Sequence, residues 1–112
     1  MTQGYIFFGI GGYDPQKTIE CAYALSVSLK LVDPDRETCV IVEDFDRVPK
    51  RYENGFDYII KLPYGRSEIG HHDYRIDWWQ IYYATPFDET IYLDTFSLAI
   101  SNISSFWELT EE

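Results

Sequence analysis

Residues 5–10 read Tyr-Ile-Phe-Phe-Gly-Ile, six positions without a polar side chain, and Gly11-Gly12 closes the run. A run that does not alternate cannot turn one face to water. Its aromatic and β-branched content therefore predicts a strand buried on both faces, the pattern of a parallel sheet. Asp14-Pro15 follows at once, an N-cap with proline at the first helical position. Ala22, Leu25, Leu29 and Val32 then recur at helical spacing, and Asp33-Pro34 stops the helix. A doubly buried strand that feeds directly into a helix needs a second parallel strand to return to.

The rest of the chain supplies it. Thr38-Cys-Val-Ile-Val-Glu-Asp44 predicts a second buried strand ending in Glu43 and Asp44. Residues 45–55 form a short polar connection with room for a helical turn or two, closed by Asn54-Gly55. Phe56 to Leu62 predicts a third strand, stopped by Pro63. Residues 63–74 have no period and read as a loop. Arg75 to Ala84 predicts a second helix with Trp78, Ile81 and Tyr82 on one face, closed by Thr85-Pro86. Glu89 to Asp94 is a fourth strand. Ser97 to Ile100 then reads as a brief extended piece, and a last helix capped by Asn102 or Ser104 follows. Alternating strands and helices give one α/β domain across residues 1–112, with a mostly parallel sheet. In such sheets ligands bind outside the carboxyl ends of the strands. That rule gathers Gly11-Gly12-Tyr13, Glu43-Asp44, the loop after Leu62, and Asp94 on one edge.

Charge narrows the ligands. Nineteen acidic and nine basic side chains give a net charge of −10, a field that repels phosphate backbones and argues against general nucleic-acid binding. A bare anion meets the same field unless a divalent cation or a local basic group mediates. Cys21 and Cys39 lack zinc-type spacing and read as reduced core thiols. No run approaches the roughly 20 apolar residues of a membrane span. The N-terminus has no positively charged leader pattern, so a cytoplasmic protein is expected.

Local motifs exclude several chemistries. Gly9-x-Gly11 begins a dinucleotide fingerprint, but Asp14 occupies the third glycine position, where a carboxylate opposes a pyrophosphate on the helix N-terminus. No Gly-Lys-Ser/Thr follows. His71-His72-Asp73 lacks a partner at ligand spacing and reads as a solvated loop. Arg75 offers a planar donor fork suited to phosphate. No serine is set in a Gly-x-Ser-x-Gly turn.

The segment from Thr85 to Leu109 carries a resemblance. Pro86, Phe87, Asp88, Tyr92, Leu93, Asp94, Ile103, Phe106, Trp107 and Glu108 fall on a pattern of the nucleotide-diphospho-sugar transferases of the GT-A fold. The chain most closely resembles their glycogenin and galactosyltransferase-like group, family 8. Upstream, Tyr13, Ala22 and Ser28 match that family's first loop and helix, and Val40 to Asp44 its second strand. The resemblance implies a Rossmann-like three-layer α/β/α domain, the donor-binding half of a GT-A fold, that takes a nucleotide sugar, usually a UDP-sugar. It implies that Gly11, Tyr13 and Asp44 contact base and ribose, that Arg75 approaches the donor, and that Asp94 holds ribose and a divalent metal, Mn2+ or Mg2+. Such a metal neutralises the charge that accumulates on a diphosphate leaving group.

Two departures accompany the likeness. The family's Asp-x-Asp reads Asp94-Thr95-Phe96 here, so an apolar ring stands at the second ligand position. The family's acceptor half has no counterpart in these residues. Two readings stay open: a glycosyltransferase-like domain binding a nucleotide sugar, or a non-catalytic interaction module on the same fold. Apolar surface at the open edge of a half-domain also makes a homodimer an expectation.

Overall fold

The computed structural model describes residues 2–10, 14–65, 79–95 and 107. The elements run β1 (Gln3–Phe8), α1 (Pro15–Val32), β2 (Glu37–Val42), a 3-10 turn (Phe45–Arg47), α2 (Lys50–Glu53), β3 (Tyr58–Lys61), α3 (Ile81–Ala84) and β4 (Glu89–Tyr92). The four strands form one sheet in the order β3-β2-β1-β4. All three pairings are parallel, with Ile6 opposite Cys39 on one side and Tyr92 on the other, and Val40 opposite Ile59. The domain is thus a small α/β unit with an all-parallel sheet.

The strands end one or two residues earlier than their apolar runs. β1 stops at Phe8 rather than Ile10, β2 at Val42 rather than Asp44, and β4 at Tyr92 rather than Asp94. Pairing nonetheless continues one step further. Gly9 N–H donates to the Ile41 carbonyl at 2.7 Å, Leu62 N–H to Val42 at 2.8 Å, and Leu93 N–H to Ile6 at 3.1 Å. The remaining residues of each run turn away to form the carboxyl edge.

Central strands β1 and β2 are buried along almost their whole length, as a non-alternating apolar run demands. Successive side chains enter opposite faces. Tyr5, Phe7, Val40 and Val42 pack with Ile19, Ala22, Leu25 and Leu29 of α1, joined by Val48, Phe56 and Trp107. On the other face Ile6, Phe8, Cys39 and Ile41 pack with Ile10, Leu62, Ala84 and Phe87. Each large apolar side chain so buried contributes about 1.5–3 kcal/mol. Strand β3 is only half-buried, since it has a single described neighbour.

α1 begins and ends where its sequence signals lie. The Asp14 carboxylate accepts from the Gln16 and Lys17 N–H groups at 3.1 and 3.4 Å, and the helix ends at Val32 with Asp33 as its cap. The second helix departs from expectation. Its described part is one turn, Ile81–Ala84, and Ala84 and Ile81 face the core while Tyr82 is 90% exposed. The inward pair is spaced i, i+3, which turns Tyr82 to solvent. Trp78, Ser97 to Ile100, Asn102 and Ser104 lie outside the described residues.

Phe87 locks β4 to the sheet through a glycine. A Cβ on Gly4 would stand 2.3 Å from the Phe87 ring, so only glycine admits the ring over β1. The ring then meets Tyr58 edge-on at 5.5 Å.

Two polar networks pin the amino end. The Tyr5 hydroxyl donates to Asp33 and accepts from Trp107 Nε1 at 3.1 Å. Arg36 pairs with Asp33 at 3.3 Å, donates to Gln3 at 2.9 Å and lies 5.4 Å over the Trp107 ring. Asp33 is thus a buried carboxylate held by the Tyr5 hydroxyl and the Arg36 guanidinium, the condition under which burial is tolerated. Asp57 forms the second network with Lys30 at 2.7 Å and the Thr38 N–H at 2.9 Å. Ser26 joins Thr38 at 2.8 Å and donates to the Gly55 carbonyl.

Burial, then the bond to Asp33, pushes the Tyr5 phenol up to about 12, and burial pushes the Cys39 thiol up to about 12. Both groups ionise earlier in the unfolded chain, which above its own pKa binds fewer protons than the fold, so stability falls as pH rises. The loss should begin near pH 9 with Cys39 and near pH 10 with Tyr5, and continue to about 12. Tyr5→Phe should lose roughly 2 kcal/mol less than the parent between pH 8 and 12, each measured by urea unfolding against its own stability at pH 8. Equal falls would mean that the phenol ionises as freely in the fold as outside it.

Candidate functional site

The strand order places the site. β2 and β3 extend from one side of β1 and β4 from the other, so the chain reverses direction across the sheet between β1 and β4. At such a switch point, outside the carboxyl ends of the strands, α/β sheets bind ligands. Here the switch point lies between the ends of β1 and β4, at Gly9-Ile10 and Leu93-Asp94.

Thr95 fixes the β4 side of it. Its buried hydroxyl donates to the Phe8 carbonyl at 2.6 Å, which ties the chain after β4 back to the end of β1. Asp94, immediately before it, is held at the edge and is exposed. A threonine here does structural work that the sequence gives no sign of, because its partner is a carbonyl 87 residues away.

On the β2 side a cleft of about 250 Å³ is lined by Gly9, Ile10, Asp14, Gln16, Ile19, Glu43 and Arg47. That is smaller than the roughly 300–1,000 Å³ of pockets for drug-sized ligands. Its floor is narrow for a physical reason. A Cβ on Gly9 would stand 2.9 Å from side-chain atoms of Ile19 and of Val40, so α1 approaches the end of β1 through the space that glycine leaves. Glycine at this position is therefore a packing requirement, not a phosphate-loop signature.

The wall formed by α1 is already charged. Asp14 spends its carboxylate on the first N–H groups of the helix, and so stands where a pyrophosphate would lie in a dinucleotide fold. That is the outcome expected from an acidic residue at the third glycine position.

Among the residues anticipated as binding groups, Asp44 and Asp94 are described and both are exposed at the carboxyl edge. They are not brought together. Asp44 follows β2 and Asp94 follows β4 with β1 between them, two strand spacings or about 10 Å across the sheet. Asp44 also caps the 3-10 turn, accepting from Asp46 N–H at 3.1 Å, and Glu43 beside it lines the cleft. Gly11, Tyr13 and Arg75 lie outside the described residues, as do Phe96 and His71 to Asp73. Arg47 and Gln16 are cleft residues that the sequence reading did not select. Arg47 sits in a polar connection with no motif, and only the fold of the 3-10 turn brings it to β1. Among the described residues no group of three His, Cys, Asp or Glu stands close enough to hold a metal ion, and no helix is long and apolar enough to cross a membrane.

No protein-family model matches the chain, and no curated protein matches it.

Removal of the Thr95 hydroxyl tests whether the edge depends on that tie. Thr95→Val should destabilise the domain by about 1–2 kcal/mol, read from the urea midpoint, because the Phe8 carbonyl loses a buried donor. An unchanged midpoint would mean that water or another donor replaces it.

Proposed function

We propose that the carboxyl edge binds a nucleotide-diphosphate sugar, with a UDP-sugar as first candidate, in a Rossmann-like three-layer α/β/α domain of the GT-A type. The observation that carries this reading is the reversal of strand order beside β1, with the cleft on one side of it and Asp94 on the other. About 10 Å of sheet edge between the ends of β2 and β4 matches the reach from a nucleoside to its diphosphate. In this arrangement the base and ribose occupy the cleft, where Glu43 and Asp44 offer carboxylates to ribose hydroxyls. The diphosphate runs toward β4.

Asp14 blocks the helix N-terminus, so the diphosphate needs another source of positive charge. Arg47 at the cleft is one, and Arg75 is the one implied by the resemblance. A divalent cation is the other. Mg2+ is commonly held by one or two protein carboxylates together with substrate phosphates and water. Asp94 supplies one carboxylate and Phe96 none, so these residues fit a Mn2+ or Mg2+ ion only when the diphosphate completes its shell. When bound, the ion would supply charge neutralisation at the leaving group. Asp94 then positions it, and Thr95 holds Asp94 in place through Phe8.

The test is calorimetric titration of UDP into the chain with and without Mn2+. Binding that requires the metal, with no Mn2+ binding in the absence of UDP, is the expected result. Metal-independent binding would keep the nucleoside cleft and remove Asp94 from the site. No binding under either condition would favour the non-catalytic interaction module, the reading to which the apolar Phe96 points. A second prediction follows from the same geometry: Phe96→Asp should confer or strengthen Mn2+ binding, measured by metal titration without nucleotide. Equal affinity in parent and variant would mean that Asp94 and position 96 do not correspond to the family's acidic pair.

A further inference from the structure

The carboxyl end of β3 carries a feature that the nucleotide reading does not use. The chain turns from Leu62 to Gly65, whose N–H donates to the Leu62 carbonyl at 3.4 Å and whose φ is +72°. Tyr64 in this turn lies face to face with Trp79, with ring centroids 5.3 Å apart and an interplanar angle of 24°. Tyr83, one helical turn beyond Trp79, meets both rings edge-on at 5.5 and 6.0 Å. The three side chains are nonetheless 63%, 54% and 65% exposed.

Gln80 holds this corner together. Its Oε1 accepts from the Tyr64 N–H and its Nε2 donates to the Gly65 carbonyl, both at 2.8 Å, while the residue is only 1% exposed. Burying an amide is unfavourable unless both ends are hydrogen-bonded. Here both are spent on fixing an aromatic surface that faces water. Such a surface is pre-organised, which lowers the entropic cost of binding a ligand to it.

We infer that the Tyr64–Trp79–Tyr83 corner binds an uncharged saccharide, by stacking the apolar C–H face of a pyranose ring on the exposed aromatic faces. The inference stands on this geometry and does not rest on the nucleotide site. Three considerations select the ligand class. The rings touch one another, so they enclose no space for an organic cation as an aromatic cage does. The net charge of −10 opposes anions but is indifferent to a neutral polyol. The three side chains are already partly buried and cover one another, so they present only part of the roughly 150–250 Å² that an aromatic side chain can bury, less in total than the roughly 800 Å² that each partner buries in a stable protein interface. A small ligand that stacks on one or two rings needs no more. Tyr64 and Tyr83 also carry phenolic hydroxyls, which suit a ligand with apolar faces and polar edges.

The experiment uses two neutral glucose oligomers of opposite linkage, maltohexaose and cellohexaose, titrated into the full chain. Ligand-observed saturation-transfer NMR and tryptophan fluorescence report binding. Saturable binding of at least one oligomer at millimolar concentration is expected, weakened about tenfold or more by Trp79→Ala and by Tyr83→Ala with unfolding midpoints unchanged. The inference is overturned if neither oligomer binds, if both variants bind as the parent does, or if tetramethylammonium binds in preference to the sugars.

Discussion

Everything else in this domain is placed relative to the double pairing of β1. Its parallel neighbours are β2 on one side and β4 on the other, and its side chains enter both apolar clusters. Parallel strands cannot be joined by tight turns, so each neighbour must arrive by a crossover. The first crossover runs through α1 and leads outward to β2 and then β3. The second returns to the opposite side of β1. The switch point at the carboxyl edge is a direct consequence of that reversal, and no individual side chain is needed to create it. Gly4 matters to it indirectly, because the Phe87 ring can cross β1 only where no Cβ stands.

The two ends of the sheet divide stability from recognition. Toward the amino end, Tyr5, Asp33, Arg36 and Trp107 satisfy one another, and Ser26, Thr38, Lys30 and Asp57 do the same beneath α1. These are closed networks, with buried donors and acceptors matched. At the carboxyl end the polar groups are exposed and lie on short connections: Glu43, Asp44, Arg47 and Asp94. Asp44 there caps the 3-10 turn, and Glu43 and Arg47 line the cleft. Trp107 belongs to the first category. It falls on the family-like pattern, yet its indole is buried and hydrogen-bonded to Tyr5, which gives it a structural role.

Local signals made the elements legible and long-range contacts made the site less so. Asp14-Pro15 and Asp33-Pro34 mark α1 to the residue, because caps and proline act on the backbone beside them. The non-alternating runs of β1 and β2 announce burial on both faces, and hence a parallel sheet. The spacing puts Tyr82 beside Ile81 on the inner face, whereas the described turn Ile81–Ala84 turns it to solvent, because one turn carries too few residues for periodicity to decide which face is inward. Asp44 and Asp94 were legible as strand-end carboxylates, but their separation across β1 was not, because it depends on strand order. Arg47 and Thr95 left no trace, as each acts on a strand far away in the chain. Gln80 is a similar case: its amide is spent on a turn 15 residues earlier.

The placement of negative charge constrains how any phosphate-bearing ligand could be held. In a dinucleotide fold the first helix offers its N–H groups and its positive dipole end to a pyrophosphate. Here Asp14 satisfies those groups from within the chain, and Glu43 stands across the cleft from it. The anion seat at the start of α1 is therefore taken up from within the chain, although it stands at the carboxyl edge of an all-parallel sheet. A diphosphate entering this edge would have to lie nearer β4 than α1. There it would meet Asp94, a like charge, and could remain only with a cation between them. The capping carboxylate on α1 and the strand-end carboxylate on β4 thus act in the same direction. Together they disfavour a bare anion at the described ends of α1 and β4, so a neutral ligand, or an anion that brings its own cation, fits these two carboxylates better than a bare phosphate does.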